Sequence, residues 1–166
     1  MKLYLIQHGE ATPEEVNPSR PLTPKGSQDV KKIASFLAQA GLGLISIRHS
    51  GKLRARQTAE IIAASLGPGC LVQQAENLSP NHRVRNLMEE IGKMNTDLMV
   101  VGHLPFLGKL ASALLTGSKS KNPVAFRQGG VVCLQRNEDQ TWQVAWMVTP
   151  DILTRPIKAR LSRGKR

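Results

Sequence analysis

A chain of 166 residues, 40% hydrophobic and 21% charged, is long enough to bury a substantial core, but a net charge of +11 is unusual for an ordinary globular composition. Only Cys70 and Cys133 are present, without a C-x-x-C pattern, which argues against a disulfide scaffold, and no run approaches the ~20 apolar residues of a membrane span. One lysine and four apolar residues before Gln7 are too short for a signal-peptide core, so a soluble, cytoplasmic protein is expected.

In chain order, residues 2–7 read as a first strand, and the proline-bearing stretch 10–22 as a loop. A helix follows, with Thr23 as N-cap and Pro24 at its first position. Its apolar stripe is Val30, Ile33, Ala34, Leu37 and Ala38, and Gly41 ends it. Residues 44–50 (LISIRHS) form a second strand, and Ser50 is placed to cap the next helix, which carries Ile62 and Leu66 inward before Gly67. Residues 70–72 give a short third strand, 82–92 a modest helix, and 97–101 (DLMVV) a buried fourth strand. The helix after it bears the stripe Leu107, Leu110, Ala111, Leu114 and Leu115. Two last strands, 130–135 and 141–148, flank a polar turn, with Trp142, Val144, Trp146 and Val148 alternating. Strands alternating with helices before a terminal hairpin predict an α/β fold of three layers. The central sheet is mostly parallel, with helices on both faces and a C-terminal antiparallel hairpin.

No repeat or boundary divides residues 1–154, which are expected to form one domain. The last twelve residues, 155–166, hold six Lys or Arg and no acid, about half of the net charge. A solvated, poorly ordered tail is the plainer expectation; steering of an acidic partner is the alternative. Neither a membrane nor nucleic acid is expected as a partner.

In such sheets, ligands bind beyond the carboxyl ends of the strands. Three of the predicted strands lead to reactive residues there: the first to His8 and Gly9, the second through His49 and Ser50 to Arg54, the fourth to Gly102 and His103. Two histidines and an arginine would share a rim with a helix N-terminus, whose free N–H groups favour anions, and Gly9 and Gly102 would let backbone approach a ligand closely. Taken singly, each has a plainer reading: a histidine at a strand end is commonly a hydrogen-bonded structural residue, and Arg54 a solvated helix charge. A metal site on His8, His49 and His103 is poorly supported, because there is no H-x-x-H or carboxylate pairing.

The ordered motifs LYLIQHGEA, RPLTPKG, HSGKLRARQTAE and VVGHLP resemble those of the histidine phosphatase (phosphoglycerate mutase-like) superfamily over residues 1 to about 150. The short length, RPLTPKG and the GHLP turn are most similar to its phosphohistidine phosphatase branch. The resemblance implies a metal-independent phosphatase without cofactor, acting on a phosphohistidine-bearing protein or another phosphorylated substrate. His8 would be the nucleophile that becomes phosphorylated; Arg54 and His103 would hold the phosphate, with Gln7 and Gly9 also lining it. Two departures stand out. Gln7 occupies the place where the family motif has arginine, so a charged hydrogen bond is lost, worth ~1.5–3 kcal/mol, or roughly ten- to hundredfold in rate. Where broader members place a catalytic glutamate, this chain reads Leu78-Ser79-Pro80, with Glu76 nearby but earlier. An imidazole leaving group needs less help from an acid than an alkoxide does, which favours phosphohistidine. The alternative is a weakened member that binds a phosphate or phosphoprotein without efficient turnover. Lys25 and Arg20 are candidate compensating charges, and Glu10 at best supports the site from behind.

Overall fold

In the computed structural model, which describes residues 1–42 and 45–154, the strand β1 (Lys2–Gln7) alternates between two cores. Leu3 and Leu5 pack into one, Tyr4 and Ile6 into the other. A strand covered on both faces must be apolar at successive positions, which is why this segment reads as an unbroken apolar run. β4 (Leu98–Gly102) repeats the pattern, with Leu98 and Val100 on the first side and Met99 and Val101 on the second. The 155–166 tail and Leu44, the first residue of the predicted second strand, lie outside the described residues.

β2 (Ser46–His49) and β3 (Leu71–Gln74) extend the sheet past β4, and all four strands run parallel. On the other side, β5 (Val131–Arg136) pairs antiparallel with β1, and β6 (Trp142–Val148) antiparallel with β5, giving the order β3-β2-β4-β1-β5-β6. The helices α1 (Pro24–Gln39) and α2 (Leu53–Leu66) cover one face, while α3 (Val84–Lys93) and α4 (Phe106–Thr116) cover the other. This is the expected three-layer fold. A 3-10 turn at Glu76–Leu78 and a short helix α5 (Pro150–Thr154) complete it. Among the described residues, no helix is long and apolar enough to cross a membrane.

Two local expectations are corrected. Ala38 is exposed, whereas Val30, Ile33, Ala34 and Leu37 are buried, because Ala38 falls roughly 90° from the centre of that stripe at about 100° per residue. The alternation in β6 does not hold one face. A bulge sets Cys133 opposite Trp146 but Leu134 opposite Val144, so Ala145 is the extra residue. Trp142 therefore packs with the α3/α4 core, Trp146 and Val148 with the α1/α2 core, and Val144 is left 46% exposed.

Candidate active site

Strand register brings the predicted residues together. Gln7 lies opposite Gly102 in the β1–β4 pair, and His49 opposite Val101 in the β2–β4 pair, so His8, Ser50 and His103 leave the sheet at one rim. The His8 N–H continues the ladder to the Gly102 carbonyl at 3.1 Å. The rings of His8 and His103 stand 4.8 Å apart, and Arg54, in the first turn of α2, donates from Nε to His8 Nε2 at 3.2 Å.

A hydrogen bond assigns the proton of His8. His8 Nδ1 donates to the Gly9 carbonyl at 2.7 Å, which leaves the lone pair on Nε2. Burial pushes the His8 pKa down to about 4; the Gly9 carbonyl opposes this, and the charges of Arg54 and Arg20 add to it. His103 is pushed to about 3, first by burial, then by His8, Arg54, Lys52 and Arg20. Ser50 corrects an expectation: α2 takes Lys52 as N-cap, and the Ser50 hydroxyl bonds instead to His103 Nε2 at 2.5 Å. With that hydroxyl donating, the ring proton rests on His103 Nδ1. Nδ1 and Gln7 Oε1 are both buried at this rim without a hydrogen-bond partner among the described residues.

Both histidines thus stay neutral in the fold at pH values where an unfolded chain, with a histidine pKa near 6.5, takes up protons. Acidification from pH 6.5 towards 4 therefore favours the unfolded state, by roughly 3 kcal/mol for each ring at the lower limit. Denaturant midpoints measured across this window are expected to fall, and to fall less for His103→Gln. Parallel curves for the two proteins would contradict the assignment.

One face of α2 ties the motifs to one another. Arg54, Gln57 and Thr58 share it at i, i+3 and i+4. Gln57 Oε1 accepts the Leu22 N–H at 2.8 Å, and Thr58 Oγ1 accepts the Gly9 N–H at 3.1 Å while donating to the Arg54 carbonyl at 2.7 Å. Sequence reasoning singled out Arg54 alone, although the spacing was the signal for the other two. Gly9 does not clear space for a ligand, as was expected. A Cβ there would lie 2.8 Å from Val30 Cγ2 and 3.0 Å from the Gly26 carbonyl oxygen, so its smallness serves the approach of α1. At Gly102 a Cβ would meet Leu107 Cδ2 at 3.4 Å, an ordinary contact. Thr23 caps α1 by accepting from the Gly26 N–H at 2.9 Å, and its own Oγ1 donates to Glu10 Oε1 at 2.7 Å. His49 is buried with Nδ1 accepting the Gly51 N–H. Among the described residues, no three His, Cys, Asp or Glu side chains are grouped as metal ligands.

A sequence model of the histidine phosphatase superfamily (branch 1) matches residues 3–81. An uncharacterized protein of Picosynechococcus sp. is 35% identical over 143 residues, covering 81% of this chain and 85% of that protein. The chain belongs to the histidine phosphatase superfamily. Phosphohistidine phosphatase SixA of Escherichia coli (strain K12) is 23% identical over 155 residues, 90% of this chain and 94% of that one. The structure of the protein histidine phosphatase SixA complexed with tungstate shares the fold with a TM-score of 0.80 at 22% identity, over 92% of this chain and 99% of that one. Membership of the histidine phosphatase superfamily supports a phosphatase. Against the arginine expected of the superfamily, Gln7 brings no charge, and of the two candidate compensating cations only one stands near the site. Lys25 is instead paired with Asp29 at 2.7 Å and Glu10 at 3.9 Å. Arg20, held at φ +50° with Nε on the Thr12 carbonyl, is close enough to depress the proton affinity of His8, Arg54 and His103. Glu14 is the carboxylate that works against it at Arg54. At the superfamily's glutamate position, Leu78 is fully buried in the α3/α4 core, and Glu76 is exposed.

Proposed function

We propose that this protein is a phosphohistidine phosphatase, which removes the phosphoryl group from a protein phosphohistidine through a covalent phospho-His8 intermediate. The observation that carries the reading is the state of His8: a neutral ring whose proton is fixed on Nδ1 by the Gly9 carbonyl, with its free nitrogen beside Arg54. His8 Nε2 attacks phosphorus as the P–N bond to the substrate imidazole breaks, so one P–N bond replaces another. The departing nitrogen takes its proton from solvent. Water then attacks the phosphorus, the bond to Nε2 breaks, and inorganic phosphate leaves. Arg54 offers permanent N–H donors to the phosphoryl oxygens, His103 offers Nδ1–H, and Arg20 adds charge, so that positioning and electrostatic stabilisation supply the catalysis. Gln7 presents its N–H donors to the same oxygens once its amide is turned over. The buried Leu78 leaves no carboxylic acid at its position, which suits a leaving group that needs little protonation.

Gln7 also favours a second reading, a phosphoprotein-binding member with feeble turnover. Phosphate release from a phosphohistidine-bearing protein separates the two. The wild type is expected to turn over, with an acid-labile phosphoryl group on His8 in quenched samples. Gln7→Arg is expected to gain up to about tenfold, and Arg20→Ala to lose about tenfold, each by one charged hydrogen bond or less. Negligible release by the wild type, with large recovery in Gln7→Arg, would establish the binding protein instead.

A further inference from the structure

Beside the rim that carries His8, a groove of about 580 Å³ runs between the start of α4 and the segment joining α4 to β5. Leu104, Pro105, Val124 and Phe126 give it an apolar floor, and Lys109 and Lys119 stand on its borders. Leu104 is 44% exposed despite its size. Both walls run directly into the proposed active site. Leu104 and Pro105 follow His103 in the chain. The opposite wall continues through Arg127 to Gly129, whose N–H bonds to the Gln7 carbonyl at 2.9 Å and the His8 carbonyl at 3.2 Å.

The charge around this groove differs from that elsewhere on the molecule. On α1, α2 and α3, three exposed cations have acidic partners one turn away: Lys25 pairs with Asp29, Arg56 with Glu60, and Arg85 with Glu89. From Leu98 to Asn137 the chain has five Lys or Arg residues and no Asp or Glu at all. The lysines bordering the groove thus have no carboxylate of their own segment to neutralise them, and an apolar channel edged by uncompensated positive charge complements an apolar strip edged by acids.

The geometry points to a docking groove for the substrate polypeptide: we propose that it receives the segment flanking the phosphohistidine, a stretch of apolar residues interspersed with Asp or Glu. The inference rests on reading the site as a phosphohistidine phosphatase. A phosphorylated imidazole by itself would occupy only the His8 rim. The groove beyond is large enough for several further side chains, and its apolar floor would exclude water from them.

The test compares three probes in wild type and in the double variant Lys109→Glu/Lys119→Glu: free phosphohistidine, a phosphohistidine peptide flanked by Leu and Glu, and one flanked by Leu and Lys. The wild type is expected to prefer the acidic peptide. The variant is expected to lose about tenfold in kcat/KM on it, mainly through KM, while free phosphohistidine changes less than twofold and the Lys-flanked peptide improves. Equal losses on all three probes, or no change on any, would overturn the groove while leaving the phosphatase intact. Absence of turnover on every probe by the wild type would instead overturn the reading of the site, and the groove proposal with it.

Discussion

His8→Ala is expected to abolish phosphate release from a phosphohistidine protein, lowering turnover by on the order of 10⁴-fold or more, as losing the nucleophile of a covalent mechanism does. The fold should survive, because the His8 contacts that organise the chain are made by its main chain, to Gly102 and Gly129. The variant should retain affinity for phosphate, vanadate or tungstate through Arg54 and His103. The informative outcome is therefore a split: no turnover, no acid-labile adduct, and oxyanion binding weakened far less than catalysis. Residual turnover within tenfold of wild type would remove His8 from the nucleophile's role and pass the question to His103, the other buried imidazole at the rim.

Gly26→Ala is expected to destabilise the fold by about 3 kcal/mol, the upper part of the usual range for overpacking, and to lower Tm by roughly 10 °C. The sign is opposite to what helix propensity gives, since alanine normally improves on glycine inside a helix by up to ~1 kcal/mol. Gly26 lies in the first turn of α1, and a Cβ there would be 2.1 Å from the carbonyl oxygen of Glu10. A backbone atom cannot swing aside as a side chain can, so either α1 retreats or the chain at Glu10 moves. Glu10 is two residues from His8, and loss of turnover should accompany loss of stability. A thermal midpoint equal to or above that of wild type would show that the close approach of α1 to the segment after His8 is not required.

How much of this was legible in the sequence depended on the range of the interaction. The strand leading to His8 and the helix opened by Thr23 and Pro24 follow from local pattern, and the structure has both where they were expected. The convergence of His8, Arg54 and His103 followed from the α/β rule about strand ends together with the family resemblance. Ser50 was misread because a serine just before a helix satisfies the local rule for a cap, whereas its actual partner, His103, is fixed by parallel register between β2 and β4. Gly9 was misread for a similar reason. A glycine beside a reactive residue looks like room for a ligand, but the neighbour that needs the room is a helix beginning fifteen residues later. The bulge at Ala145 leaves no mark in an alternating run of tryptophans and valines, since it depends on the partner strand. Arg20 shows the same limit: only a left-handed backbone turn anchored on Thr12 brings its charge towards the site.

The hydrogen bonds around residues 7–9 set an order of events for the nascent chain. His8 is synthesised before the residues that secure its surroundings, Thr58, Gly102 and finally Gly129, each far downstream. A ribosome that has passed Thr58 has supplied the side-chain anchors Arg54 and Thr58, but neither Gly102 nor Gly129, whose backbone groups hold the main chain at His8. Such distant closures are slow to form. Competence at His8 therefore arrives late, once the segment carrying Gly129 has folded back across the sheet, and enzymatic activity would serve as a reporter of complete folding.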